Sequence, residues 1–281
     1  MTESALVSCE WLKQNLNAEN QVILDATFFL PRQKRNAQLE YQQHISGALF
    51  FDIDQVADLN NPLPHTLPNT KQFADEVGEM GIDNNMDIVI YDNNHFFAAA
   101  RVWWMFRVFG HNKVQILDGG LARWKQLNYP LNSEQPVPVR TIFNAQYHPE
   151  LVFDLKKMMS VQKTHSWQIV DARSTDSFLG QRTQADISLQ TGHIPNSINL
   201  PYARLTNSEQ QTLLPNRKLQ SLFGETGIDL SKPIVTTCGS GVSAAVIILA
   251  LYQLGRTEVP MYDGSWAEWG RQLYTPKQMK V

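Results

Sequence analysis

The chain has 281 residues, enough for two domains of ordinary size, and is 43% apolar and 18% charged. A formal charge of −3 without any basic block argues against a nucleic-acid partner or binding to an acidic membrane. No apolar stretch approaches the roughly 20 residues that a membrane span needs. The start, Met1-Thr2-Glu3-Ser4-Ala5, has no basic segment leading into an apolar run, so no signal peptide is expected. With only two cysteines, Cys9 and Cys238, a disulfide framework is not expected and a reducing cytoplasm is. The seven histidines are scattered, which gives no zinc-like ligand set, and no metal or organic cofactor is expected.

Taken from the N-terminus, the pattern repeats itself. Val22-Ile23-Leu24-Asp25-Ala26 reads as a strand and returns as Gln168-Ile169-Val170-Asp171-Ala172. His44-Ile45 returns as His193-Ile194, and Asp87-Ile88-Val89-Ile90-Tyr91-Asp92 as Pro233-Ile234-Val235-Thr236-Thr237-Cys238. Asp118-Gly119-Gly120 returns as Asp263-Gly264-Ser265. Each landmark lies 145 to 149 residues after its counterpart and in the same order, the mark of a duplicated domain. Trp103, Trp104 and Phe106 read as core of the first copy, and Cys9 as a small apolar residue of its first helix. Between the copies, Pro130 to Pro149 also holds Pro136 and Pro138, so an extended connector is expected. The expected organisation is a first domain over 1–131, a linker over 132–149 and a second domain over 150–281.

In the second copy, strands are expected at 168–171, 197–200, 234–237 and 259–262, with a helix over 243–254 closed by Gly255. Short, continuously apolar strands alternating with helical patterns predict an α/β fold, each domain a mostly parallel sheet flanked by helices. In such sheets, sites form at the carboxyl ends of strands. Asp92 and Cys238 both fall there.

The segment Cys238-Gly239-Ser240-Gly241-Val242-Ser243-Ala244 links a strand to a helix. Its two glycines permit a tight bend, which gathers amide N–H groups around one concave space at a helix start. That environment favours an anion, and so the thiolate of Cys238, the strongest side-chain nucleophile near neutral pH. The alternative is a buried, inert cysteine. A cysteine phosphatase would need an arginine where Ala244 stands, and a redox dithiol a cysteine where Gly241 stands. A single thiolate able to accept and release sulfur remains.

These motifs resemble the two-domain rhodanese superfamily and, within it, the 3-mercaptopyruvate sulfurtransferases. Phe50-Phe51-Asp52-Ile53-Asp54, Pro62-Leu63-Pro64-His65, Arg101-Val102-Trp103-Trp104, Gly192-His193-Ile194-Pro195, the Cys238 loop and Tyr262-Asp263-Gly264-Ser265-Trp266 carry the resemblance. It implies two tandem rhodanese domains, the first inactive with Asp92 in place of cysteine. It implies sulfur transfer from 3-mercaptopyruvate through a Cys238 persulfide to cyanide, a small thiol or a thioredoxin-like protein. Gly239, Gly241, Val242 and Ser243 would shape the loop, Ser243 capping the following helix. The neutral Gly239 and Ser240 are similar to the mercaptopyruvate type, whereas thiosulfate-preferring members carry cations there. The resemblance also implies a relay in which Asp54 orients His65 and His65 polarises Ser240; otherwise Asp54 is a helix N-cap and His65 a surface residue.

The sequence departs from the family in one respect. Ser177 and Asp186 stand where the family carries two substrate-binding arginines. Arg173 and Arg182 lie nearby as replacements, or else as an ion-pair partner and a solvated side chain. The alternatives are therefore a thiosulfate sulfurtransferase or a persulfide carrier of low turnover.

Overall fold

The strand-forming runs organise two parallel sheets, one in each of two units, in a computed structural model that describes residues 4–182 and 188–279. The first unit comprises residues up to 59, 67–148 and 206–213; the second comprises 60–66, 149–205 and 214 onward.

The first unit has seven strands: β1 (Leu6–Val7), β2 (Gln21–Asp25), β3 (His44–Ile45), β4 (Leu49–Phe50), β5 (Asp87–Tyr91), β6 (Val114–Leu117) and β7 (Leu131–Asn132). Five of them form a parallel sheet in the order β1-β6-β5-β2-β4, and β3 pairs antiparallel with β7. Central strand β5 is buried on both faces. Val89 and Tyr91 pack with Leu12, Leu121 and Trp124, while Ile88 and Ile90 alternate to the opposite face. Trp103, Trp104 and Phe106, on the helix Ala99–Val108, are core residues as expected. Residues 133–148 form no helix or strand. They are nonetheless tied down, because Thr141 donates to Gly78 O, Gln146 to Phe109 O and His148 to Val108 O.

The second unit repeats the plan with β8 (Val152–Phe153), β9 (Gln168–Asp171), β10 (Ser197–Asn199), β11 (Ile234–Thr237) and β12 (Met261–Tyr262). The sheet is parallel throughout, in the order β10-β9-β11-β12-β8. After β11 comes the helix Ala244–Gln253, whose residues 244–251 are all buried. Helices flank both sheets: Cys9–Gln14 and Thr70–Glu79 are among those of the first unit, Leu155–Thr164 and Asn216–Glu225 among those of the second. Ser8, Asn69 and Asp154 start three of these by accepting an amide N–H within the first turn. The expectation for Ser243 fails. Its backbone is already helical (φ −70°, ψ −17°), and its hydroxyl makes no capping bond. A capping side chain needs the extended backbone that Ser8 has.

The repeat extends to single hydrogen bonds. Ala26 donates to Tyr91 O at 2.8 Å, and Ala172 to Thr237 O at 2.9 Å. His44 Nδ1 bonds Tyr41 O and stacks on the Tyr41 ring; His193 Nδ1 bonds Phe178 O and stacks on the Phe178 ring. One difference is electrostatic. Asp171 at the end of β9 is paired with Arg173, whereas its counterpart Asp25 meets Thr27. Burial pushes the Asp25 carboxyl up to about 6, against hydrogen bonds from Thr27 and Tyr91 that pull it down.

Because the folded value of Asp25 lies above that of a free carboxyl, its contribution to stability is largest at low pH and is lost as pH rises through about 6. Asp25→Asn removes this ionisation. Urea unfolding at several pH values should show the variant gaining on the parent protein by about 3 kcal/mol between pH 4 and pH 8. A difference that does not change with pH would contradict this account.

Candidate active site

In both repeats the central strand ends in a loop that turns directly into a buried helix. The first repeat makes the electrostatics of this loop visible. Asp92 follows β5, and its carboxylate is held by four backbone N–H groups. Oδ1 accepts from Asn94 and Phe96 at 3.0 and 3.1 Å; Oδ2 accepts from Ala98 and Ala99 at 3.0 and 2.9 Å. The loop is thus an anion nest filled by its own side chain. At the repeat spacing, the corresponding amides in the second unit are those of Ser240, Val242, Ala244 and Ala245, of which Ala245 N–H donates instead to Val242 O at 3.2 Å.

Cys238 follows β11 and is 2% exposed. Its carbonyl accepts from Trp266 N at 3.0 Å, as the Asp92 carbonyl accepts from Leu121 N at 2.9 Å. Gly239 O accepts from Ala267 N at 2.8 Å. The helix Ser265–Trp269 therefore clamps the loop by its first amides. Gly241 has φ +77°, which a side chain would strain, so glycine is required there. Gly239 is different. Its φ is not left-handed, and an added Cβ would meet nothing within 4 Å. Of the two glycines expected to make the bend, only Gly241 is needed for it. Val242 and Ser243 are buried at the start of the helix.

His65, in the segment that belongs to the second unit, bonds Ser240 Oγ through Nδ1 at 2.9 Å. The expected pairing of these two side chains is therefore present. His65 itself sits at φ +58°, an uncommon conformation for a non-glycine residue. Asp54 belongs to the first unit, is exposed and lies in a turn with no helix following, so it is not a helix N-cap. Asp52, rather than Asp54, organises that turn by accepting Asp54 N at 2.9 Å.

The basic candidates separate. Arg173 is 8% exposed and fastened to Asp171 by Nε and Nη2, with Nη2 also donating to Gly192 O at 2.9 Å. Its guanidinium lies over the Trp266 ring at 4.5 Å. An arginine held this way supports the framework behind the loop. Arg182 is exposed on a bend. Ser177 accepts a hydrogen bond from the Ser174 hydroxyl at 3.0 Å; Asp186 lies outside the described residues. Among the described residues, no group of His, Cys, Asp and Glu side chains is placed to hold a metal ion.

Sequence reasoning missed Ser265. Its hydroxyl accepts the Cys238 N–H at 3.1 Å and donates to Tyr262 O at 2.9 Å. The available signal was the repeat itself, since Ser265 replaces Gly120 at the matching position.

The profile of the Rhodanese-like domain matches residues 8–127 and again 152–272. The chain belongs to this rhodanese family and carries two of its domains in tandem. A human protein named 3-mercaptopyruvate sulfurtransferase is 40% identical over 94% of this chain and 91% of its own length. The Arabidopsis thaliana protein named Thiosulfate/3-mercaptopyruvate sulfurtransferase 1, mitochondrial, is 40% identical over 98% of this chain and 78% of its own. Among solved structures, the 3-mercaptopyruvate sulfotransferase SseA of Escherichia coli superposes with a TM-score of 0.86 at 36% identity, covering 94% of this chain and 99% of that one.

The two thiols should behave very differently. Burial, with the nearby Glu10 carboxylate adding to it, pushes the Cys9 thiol up to about 12. Iodoacetamide at pH 8 should therefore place one carbamidomethyl group on the native protein, at Cys238, as read by peptide mass. Cys9 should react only after unfolding. Comparable labelling of Cys9 in the native state would overturn this assignment.

Proposed function

We propose that the chain is a sulfurtransferase that moves sulfur from 3-mercaptopyruvate to a thiophilic acceptor through a persulfide on Cys238. The observation that carries this reading is the anion nest of the strand–loop–helix turn, occupied by the Asp92 carboxylate in one repeat and headed by Cys238 in the other. The amides that hold the Asp92 carboxylate, against a burial that pushes its pKa up, support an anion-holding role for the matching loop, where the outer sulfur of a Cys238 persulfide would take the place of the carboxylate oxygens.

In the first half-reaction, the Cys238 thiolate attacks the donor sulfur. The carbon–sulfur bond breaks, and its electron pair leaves with the pyruvate enolate. The enolate takes up the proton of the donor thiol to give pyruvate, and Cys238 is left as a persulfide anion. Ser240 is assigned to hydrogen-bond the donor carbonyl as enolate charge develops, and His65 to polarise that hydroxyl, a reading supported by the His65–Ser240 bond. Asp54 is assigned to orienting His65 on the strength of the family resemblance alone. Gly239, Gly241, Val242 and Ser243 are assigned to shaping the loop, with the amides of Ser240, Val242 and Ala244 assigned to the anion. Arg182, exposed while Arg173 is held by Asp171, is assigned to the donor carboxylate. In the second half-reaction, cyanide, a small thiol or a thioredoxin-like protein attacks the outer sulfur, and the electron pair of the S–S bond returns to Cys238 as a thiolate.

Neutral loop side chains support mercaptopyruvate over thiosulfate, because a dianion meets no cation at Gly239 or Ser240. The name of the Arabidopsis relative keeps thiosulfate as the second donor to test. A low-turnover persulfide carrier is the remaining reading, supported by the tethering of Arg173 and by Ser177 in place of an arginine. The sparse cysteines support a cytoplasmic location, although the Arabidopsis relative is named mitochondrial. Among the described residues, no helix is long and apolar enough to cross a membrane.

Paired steady-state assays with both donors test the proposal. Cys238→Ser should lower turnover with either donor by at least about 10³-fold. His65→Ala and Ser240→Ala should each lower kcat/KM for mercaptopyruvate by about 10²-fold, and the double variant little further, since the pair acts together. Gly239→Arg combined with Ser240→Lys should raise kcat/KM for thiosulfate by about 10-fold. Full turnover by Cys238→Ser would sink the reading. Persulfide formation on Cys238 without turnover would leave the carrier.

A further inference from the structure

The two repeats carry different residues at one left-handed backbone position that packs against the strand-end loop. The residue after Gly119 is Gly120 at φ +54°, and the residue after Gly264 is Ser265 at φ +50°. The left-handed region is natural for glycine and costly for serine. In the first repeat a side chain is excluded altogether, because a Cβ on Gly120 would strike Asp92 O. The second repeat makes room for a side chain in the same strained conformation and buries it completely.

The hydroxyl placed there at the cost of strain is directed at Cys238. Ser265 Oγ accepts the Cys238 N–H at 3.1 Å and lies 4.0 Å from Cys238 Sγ, at the outer limit of a hydrogen bond to sulfur. Its single proton has two acceptors, Tyr262 O at 2.9 Å and Cys238 Sγ. Thr237 Oγ1 approaches the same oxygen at 3.5 Å. In the first repeat, where no thiol needs support, the matching residue has no hydroxyl.

We infer that Ser265 is a positioning residue for Cys238: it fixes the cysteine backbone through N–H and lends its proton to Sγ when that sulfur carries charge. The inference rests on the proposed role of Cys238 as sulfur carrier. When the acceptor attacks the outer sulfur of the persulfide, the S–S bond breaks and its electron pair arrives on Sγ. The Ser265 hydroxyl then turns from Tyr262 O towards the thiolate, and turns back when the next persulfide moves the charge to the outer sulfur. Its stabilisation therefore acts on the departing thiolate, and on the free thiolate before the donor arrives.

The test compares Ser265→Gly with Ser265→Ala. Both remove the hydroxyl and orphan the Cys238 N–H, but glycine relaxes the left-handed backbone and alanine does not, so the glycine variant should have the higher Tm. In both variants, discharge of preformed persulfide to cyanide in a single turnover should slow by about 10- to 100-fold. The pH profile of Cys238 alkylation should move towards alkaline pH by the same amount in each. Equal losses at unequal Tm tie the effect to the hydroxyl. Discharge rates and alkylation profiles like those of the parent protein, or losses that follow Tm, would overturn the inference. Turnover surviving in Cys238→Ser would instead bring down the role of Cys238 itself, which keeps the two failures distinct.

Discussion

Each repeat is organised around one electrostatic constraint: a strand that ends where a helix begins gathers backbone amides at the loop, and those amides favour a negative partner. The parallel sheet fixes where the strand ends. The apolar helix that follows, Ala244–Gln253 in the second unit, is anchored by burial and fixes the direction of its amides. The short helix Ser265–Trp269 then holds the loop carbonyls from the side. Given this frame, the chemistry of a repeat is set by the residue at the mouth of the loop. In the first repeat a carboxylate closes the nest; in the second a thiol stands at its mouth.

The framework behind the loops shows that the same fold tolerates two electrostatic solutions. Asp171 and Arg173 form a buried pair, whose disruption on one side would leave an uncompensated charge. Asp25 at the matching position has hydroxyl and amide donors instead, and burial outweighs them and raises its pKa. Arg173 also packs on Trp266, the residue whose amide holds the Cys238 carbonyl. The ion pair in the second unit therefore stiffens the ground on which the Cys238 loop stands.

Much of this was legible in the sequence because it follows from local pattern. Short apolar runs gave β9 and β11 at their observed bounds, and the spacing of Asp25, Asp92 and Asp118 from Asp171, Cys238 and Asp263 revealed the duplication. Other features depend on backbone torsions that composition does not encode. Ser243 has the chemistry of a cap but not the extended backbone, and Gly239 has the freedom of glycine but does not use it. Ser265 is the reverse case, a serine in a conformation where glycine would be expected. The membership of 60–66 and 206–213 in the units opposite to their sequence neighbours is likewise set by long-range packing.

The closed nest around Asp92 gives the duplication a chemical asymmetry with a protective side. A cysteine in that loop would add a second thiol at the head of a nest of amides, open in turn to oxidation and alkylation. Aspartate keeps the loop folded with an anion that cannot be oxidised, alkylated or exchanged. The chain thus retains the architecture of two domains while placing a thiol in only one of the two matching loops.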